Sequence, residues 1–198
     1  MSYNNEKPNR FICIKIEDEG VFQKVSDVQN KILKVQPALL QCMKPKESLH
    51  VTLSVLRVNN ETDEEKVKKI LNELEPIIKK MVQGESRKID FKGLGSFRYG
   101  NILFCQTKLP DVISKIRDLL CQKLKGDFNI SHMSIPHMTI LEIRYKHQRQ
   151  NLSLSSTSYE KLINEDFGSY HVDNIHYCDI GDDRGSDGFY ITRKKIEL

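Results

Sequence analysis

His50-Val51-Thr52-Leu53 returns further along the chain as His137-Met138-Thr139-Ile140. Both tetrapeptides read histidine, apolar, threonine, apolar. Their apolar flanks predict strands over 49–58 and 137–144. Successive side chains of a strand point to opposite faces. His50 and Thr52 therefore share one face, and Val51 and Leu53 the other. His137 and Thr139 are set against Met138 and Ile140 in the same way. Each strand offers an apolar face to a core and a His/Thr face to something else.

The surroundings of the two strands also repeat. A strand over 10–17 carries Phe11, Ile12, Ile14 and Ile16. A helix over about 21–40 follows, with Val21, Val25, Val28, Ile32 and Val35 at helical spacing and Pro37 to bend or end it. A second helix begins near Thr62, with Asp63, Glu64 and Glu65 suited to the helix dipole, and stops at Gly84. Pro76 inside it predicts a kink or a split. Strands over 88–97 and 101–108 flank a tight turn at Tyr99-Gly100-Asn101, and Pro110 opens a third helix that breaks at Gly126. A serine-rich loop, 153–158, leads to a short helix over 159–164. Two last strands, about 170–180 and 188–196, flank a Gly/Asp turn at 181–187. Strand, helix, His-bearing strand thus occurs in 10–58 and again in 101–144. That repetition predicts an α+β fold of two pseudo-symmetric lobes with antiparallel sheets flanked by helices. The expected organisation is one domain over 1–198, with lobes of about 10–97 and 101–198 and exchange of elements between them allowed.

Composition narrows the partners. The 198 residues include 31 Lys and Arg against 27 Asp and Glu, a net charge of +4 that suits a phosphate-bearing ligand and is too small for a nucleic-acid coat protein. Cys13, Cys42, Cys105, Cys121 and Cys178 form no C-x-x-C pair and read as reduced, buried thiols of a cytoplasmic or nuclear protein. The first ten residues lack the apolar region of a signal peptide, position 2 is Ser rather than Gly, and no run is long enough to span a membrane. No membrane partner is expected.

Two imidazoles and two hydroxyls converging across a cleft can transfer a phosphodiester directly. One neutral His takes the proton of the attacking hydroxyl, and the other, as imidazolium, protonates the leaving oxygen. Threonine hydroxyls donate hydrogen bonds to the non-bridging oxygens as charge builds there. No metal or other cofactor is required. A lone His-x-Thr in a strand is usually an ordinary half-buried pair. Two copies with the same polarity, drawn from only six histidines in the chain, point to a site.

With both motifs in view, the sequence resembles the 2H phosphoesterase superfamily. Ser48 to Leu53, Phe91-Lys92-Gly93-Leu94-Gly95-Ser96-Phe97, Pro136 to Ile140, and Tyr159 to Ile163 with Asp166-Phe167-Gly168 are similar to the central phosphoesterase-like domain of A-kinase anchoring proteins. The likeness covers about 10–196. It implies a bilobal fold with a central cleft, and hydrolysis of 2′,5′-linked oligoadenylate or related RNA-like phosphodiesters to a 2′,3′-cyclic phosphate. It implies His50, Thr52, His137 and Thr139 as catalytic residues, with base and acid left unassigned by the pseudo-symmetry. The anchoring helix that binds kinase regulatory subunits has no counterpart before Leu198, so that partner is not expected, and a monomer is. The cointegrator subunit with the same domain type carries a KH domain. Here the G-x-x-G at Gly185 to Gly188 is acidic and would repel phosphate.

Other residues carry two readings. Phe97 and Arg98 sit at a hairpin tip, where an aromatic can stack on a base and a guanidinium can meet a phosphate; the plainer reading is a hairpin end with a solvated arginine. Lys44 and Lys46 before the first motif either attract phosphate or are simply solvated. Tyr145, with Arg144, follows the second motif and could line the cleft. His132 with His137, and His171 with His176, lack the converging ligands of a metal site, so no metal ligand is assigned. Asp182, Asp183 and Asp187 lack the distal Glu of a calcium loop and read as a polar turn. The alternative to an enzyme is a nucleotide- or RNA-binding module with little or no turnover; a pure scaffold is the third reading.

Overall fold

The computed structural model describes residues 7–97, 100–132 and 135–198. Its strands are β1 (Arg10–Lys15), β2 (His50–Leu56), β3 (Lys88–Phe97), β4 (Ile102–Lys108), β5 (Ile130–His132), β6 (His137–Glu142), β7 (Asp166–His171), β8 (Asn174–Asp179) and β9 (Thr192–Glu197). The helices are α1 (Glu19–Val35), α2 (Glu61–Met81), α3 (Asp111–Leu124) and the single turn α4 (Tyr145–Gln148). Among the described residues the strands form one sheet in the order β7-β3-β4-β6-β2-β1-β8-β9, with β5 attached to β2. Every strand pair is antiparallel. The class is α+β, as expected.

The sheet has a seam at its centre, where β2 meets β6 through one register pair, Val51 and Met138. From Ser54 onward β2 takes β5 as its partner instead. On one side lie β2, β1, β8 and β9, and on the other β6, β4, β3 and β7. The two halves draw on interleaved stretches of chain, because β8 and β9 return to pair beside β1. The helices are exchanged too. α1 follows β1 in sequence but packs on β7 and β6, while α2 and α3 pack on each other and against β9, β5 and β2.

Local chemistry explains the element ends. Asp18 caps α1 by accepting a hydrogen bond from the Val21 N–H, and the helix stops at Val35, before Pro37. Asn60 caps α2, with Glu61, Asp63 and Glu64 in its first turn. The split expected at Pro76 does not occur; α2 runs unbroken through it. Both Pro76 and Asn72, whose carbonyl loses its helical donor, lie on the exposed face, where water can satisfy that carbonyl. The helices cover one face of the sheet, where Val51, Leu53, Met138 and Ile140 are fully buried. The opposite face carries the motif histidines and threonines.

The strand expected over 170–180 is two strands. The link Val172-Asp173 separates β7, an outer strand of one half, from β8 in the other half. So short a link spans only about 10 Å, so the sheet must curve to bring these ends together. Across the link the apolar positions shift from Tyr170 and Val172 to Ile175 and Tyr177, with the polar Asp173-Asn174 between them. The short helix expected over 159–164 is a pair of 3₁₀ turns, Ser156–Ser158 and Glu160–Leu162. Cys13, Cys42, Cys105 and Cys178 are buried and unpaired, and Cys121 is half-buried.

Candidate active site

His50 and His137 each open a strand, and each is anchored in the same way. The Nδ1 of His50 lies 2.8 Å from the Ser48 carbonyl oxygen, and that of His137 lies 2.8 Å from the Ile135 carbonyl oxygen. A carbonyl only accepts, so Nδ1 carries the proton and donates it. Nε2 is then the nitrogen free to take up or release a proton. The turn presenting Ser48 is fixed in part by its own hydroxyl, which donates to the Pro45 carbonyl at 3.0 Å. Both contacts come from the residue two positions earlier, so the local sequence sets each tautomer.

The environments differ. His50 is half-buried, with ring centroids 5.2 Å from Phe11, 5.2 Å from Tyr190 (edge-on, 82°) and 6.2 Å from Phe189. Burial, with the nearby positive charges of Lys44 and Arg184, lowers its pKa to about 4 against the raising effect of the Ser48 hydrogen bond. A cavity of about 150 Å³ beside it is lined by Phe11, His50, Thr52, Val55, Ile180 and Tyr190. His137 meets Phe97 edge-on at 5.0 Å and Phe104 at 5.0 Å, and those two rings stack at 4.2 Å. Burial lowers the His137 pKa as well, partly offset by the Ile135 hydrogen bond.

The seam brings the four motif residues together, and Phe97 joins them through its contact with His137. Lys46 turns toward α1, 3.4 Å from the Glu19 carboxylate and above the Phe22 ring. Lys44 donates to Glu142 at 2.6 Å, and Arg144 pairs with Glu142 and Asp182. Tyr145 opens α4 with 73% of its surface exposed and the Arg149 guanidinium 5.9 Å from its ring. Arg98 lies outside the described residues. Among the described residues no three His, Cys, Asp or Glu side chains gather as metal ligands.

Phe11, Phe104, Arg184, Phe189 and Tyr190 escaped sequence reasoning. Phe104 shares a face of β4 with Gln106, the residue paired with His137, a neighbour that only strand register supplies. Arg184 read as part of a polar turn over 181–187, and Phe11, Phe189 and Tyr190 read as ordinary residues of the first and last strands. In the structure, Arg184 donates to the Gly181 and Asp183 carbonyls and holds its guanidinium 4.1 Å from the Tyr190 ring centroid.

A curved antiparallel sheet with helices on one face and twin His-x-Thr strands at its seam defines a 2H phosphoesterase fold. The solved structures agree. Escherichia coli LigT in apo form matches with a TM-score of 0.62 at 14% identity, covering 98% of this chain and 99% of that one. TT0787 of Thermus thermophilus matches at 0.56 and 15% identity, over 96% and 97% of the two chains. The chain belongs to the family described as the AKAP7 2′5′ RNA ligase-like domain, whose model matches residues 8–198. Human A-kinase anchor protein 7 isoform gamma is 25% identical over 203 residues, 97% of this chain and 58% of that protein. The chain thus spans somewhat over half the length of that curated relative. Family and fold together support a 2H phosphoesterase or 2′-5′ RNA ligase-like function.

Proposed function

We propose that this protein is a metal-independent phosphodiesterase acting on 2′,5′-linked oligoadenylate or related RNA-like phosphodiesters. The observation that carries the reading is the matched pair of histidines, each with Nδ1 tied to a backbone carbonyl and Nε2 left for proton transfer. His50 is the base. Burial and the neighbouring Lys44 and Arg184 keep it neutral at physiological pH. His137 is the acid; its pKa is lowered by burial, partly offset by the Ile135 hydrogen bond, and the anionic substrate stabilises its protonated form. His50 removes the proton of the 3′-hydroxyl, whose oxygen forms a bond to the neighbouring phosphorus. The bond from phosphorus to the 5′-oxygen breaks, and His137 protonates that oxygen. The products are a 2′,3′-cyclic phosphate and a 5′-hydroxyl. Thr52 and Thr139 donate to the non-bridging oxygens, and Phe97 offers a ring to a base. LigT has been crystallised with 3′-AMP, ATP and NADP⁺, ligands of the chemistry expected here.

A second reading is a nucleotide- or RNA-binding module with little turnover. The lowered pKa of both histidines favours it, since the free protein then holds little imidazolium at neutral pH. Incubation with 2′,5′- and 3′,5′-linked triadenylate in EDTA decides between them. Loss of the 2′,5′ substrate with a cyclic phosphate end, and none with His50→Ala, supports the enzyme. Binding without cleavage of either linkage supports the module.

A further inference from the structure

The two halves of the site face are built alike and finished differently. Lys15 pairs with His50 across the β1–β2 ladder as Gln106 pairs with His137 across β4–β6, and Cys13 pairs with Thr52 as Phe104 pairs with Thr139. On the His50 side this face is roofed. The loop between β8 and β9 folds back over it, with Asp187 2.9 Å from the Lys15 ammonium. Phe189, only 1% exposed, lies beneath that ammonium and against His50 and His176. On the His137 side the described residues build no such roof. A trough of about 500 Å³ opens there, lined by Lys88, Asp90, Lys92, Gln106, Lys108 and Asp166 among others.

Register places this trough on the site face. Paired residues of an antiparallel ladder project to the same side. Gln106 therefore projects with His137, Lys108 follows two residues on, and Asp90 lies opposite Lys108. Lys92 lies two strands from His137, about 10 Å across the sheet, within one nucleotide of it. The charges are unequally committed. Lys88 lies 3.7 Å from Asp90, and Asp166 accepts the Gly168 N–H. Lys92 and Lys108 are exposed and have no ion pair among the described residues.

We infer that this trough is a subsite for the substrate beyond the leaving oxygen, with Lys92 and Lys108 holding the next phosphate. The inference rests on the phosphodiesterase reading. His137 protonates the leaving 5′-oxygen, so the leaving nucleoside sits on its side of the seam. A phosphate on the 2′-oxygen of that nucleoside then reaches the trough, whereas extension at the other end meets the Phe189 roof.

The test uses 2′,5′-linked diadenylates whose attacking 3′-hydroxyl is replaced by hydrogen, titrated by calorimetry. One is plain, one carries a 2′-phosphate on the leaving nucleoside, and one carries a 5′-phosphate at the opposite end. The 2′-phosphate is expected to tighten binding about tenfold. Lys92→Ala with Lys108→Ala removes that gain, lowers the salt slope for that probe by about 0.7, and leaves the plain dimer unchanged. Lys24→Ala with Lys34→Ala, an equal charge change on α1, retains the gain. Equal binding of plain and 2′-phosphorylated probes, a gain that survives the Lys92/Lys108 variant, or a gain from the 5′-phosphate instead would each overturn the subsite. If the plain dimer binds and its 3′-hydroxyl parent is cleaved, only the subsite has failed. If no diadenylate binds, the enzymatic reading fails with it.

Discussion

Val51 and Met138 face each other across the seam of the sheet, joining two strands that otherwise diverge. That single pair sets the His50/Thr52 face of β2 beside the His137/Thr139 face of β6. Each strand supplies one histidine, so neither holds a complete acid–base pair alone. His50→Ala or His137→Ala is expected to lower kcat by about 10²–10⁴ while the circular dichroism spectrum and Tm remain near wild type. Near-full activity in either variant would sink the two-histidine mechanism.

The threonines act as donors in this scheme, so shape alone should not replace them. Thr52→Val or Thr139→Val, which keep the branched volume and remove the hydroxyl, should each cost about 10²–10³ in kcat. Thr→Ser at either site should retain most of it. Steady-state kinetics on a 2′,5′-linked dinucleotide makes the comparison, and equal losses for Val and Ser would assign the threonines a packing role.

The pH dependence follows from the two shifts. His50 must be neutral, so kcat/KM rises through its pKa of about 4. His137 must be protonated, and its pKa lies below the ordinary 6.5, so kcat/KM falls above a midpoint lower than 6.5. The free-enzyme profile should therefore be a bell centred on the acid side of neutrality. A plateau extending above pH 8 would remove a histidine of lowered pKa as the acid.

His176 makes stability pH-dependent as well. It is 7% exposed, its Nε2 has no hydrogen-bond partner among the described residues, and burial, aided by Lys15 and Lys195 against Glu17 and Asp187, lowers its pKa to about 4. The unfolded chain binds this proton near pH 6.5 and the folded one only near 4, so stability is full above 6.5 and is lost as pH falls from 6.5 toward 4. At pH 5 the loss is about 1–2 kcal/mol for this one residue. Thermal melts at pH 7 and pH 5 should show that drop, reduced in His176→Leu. An unchanged slope would mean the ring is not held neutral.

Gly95 lies opposite Phe104 on the neighbouring strand, and a Cβ there would sit 2.5 Å from the Phe104 ring. That ring supports Phe97 and His137. Gly95→Ala should displace the aromatic pair, destabilise the fold by about 1–3 kcal/mol and raise KM. Phe97→Ala should raise KM by a stacking loss of about 1–3 kcal/mol with little change in Tm. An unchanged KM in both would remove the aromatic pair from substrate binding.

Much of the site could be read from the chain because it is local. Period-two alternation assigns His50, Thr52, His137 and Thr139 to one face, and the carbonyls that fix the tautomers come from two residues upstream. The repeated strand-helix-strand order likewise carried the α+β class. Where the chain goes between strands was not legible. The polar Asp173-Asn174 and the shift of apolar parity from Tyr170 and Val172 to Ile175 and Tyr177 mark a break in 170–180, but not that the chain there leaves one half of the sheet for the other. Pro76 looked like a break because sequence does not reveal that Asn72 and Pro76 face solvent. Phe11 and Tyr190 close on His50 from distant parts of the chain, and Phe104 reaches His137 only by register. The sequence by itself determined two equivalent catalytic strands, because alternation and the chemistry of His and Thr are properties of a few adjacent residues. Only the tertiary structure decided that they are not equivalent: one histidine lies under an aromatic roof beside two cations and the other opens onto a lysine-lined trough, a difference made by contacts between residues far apart in the chain.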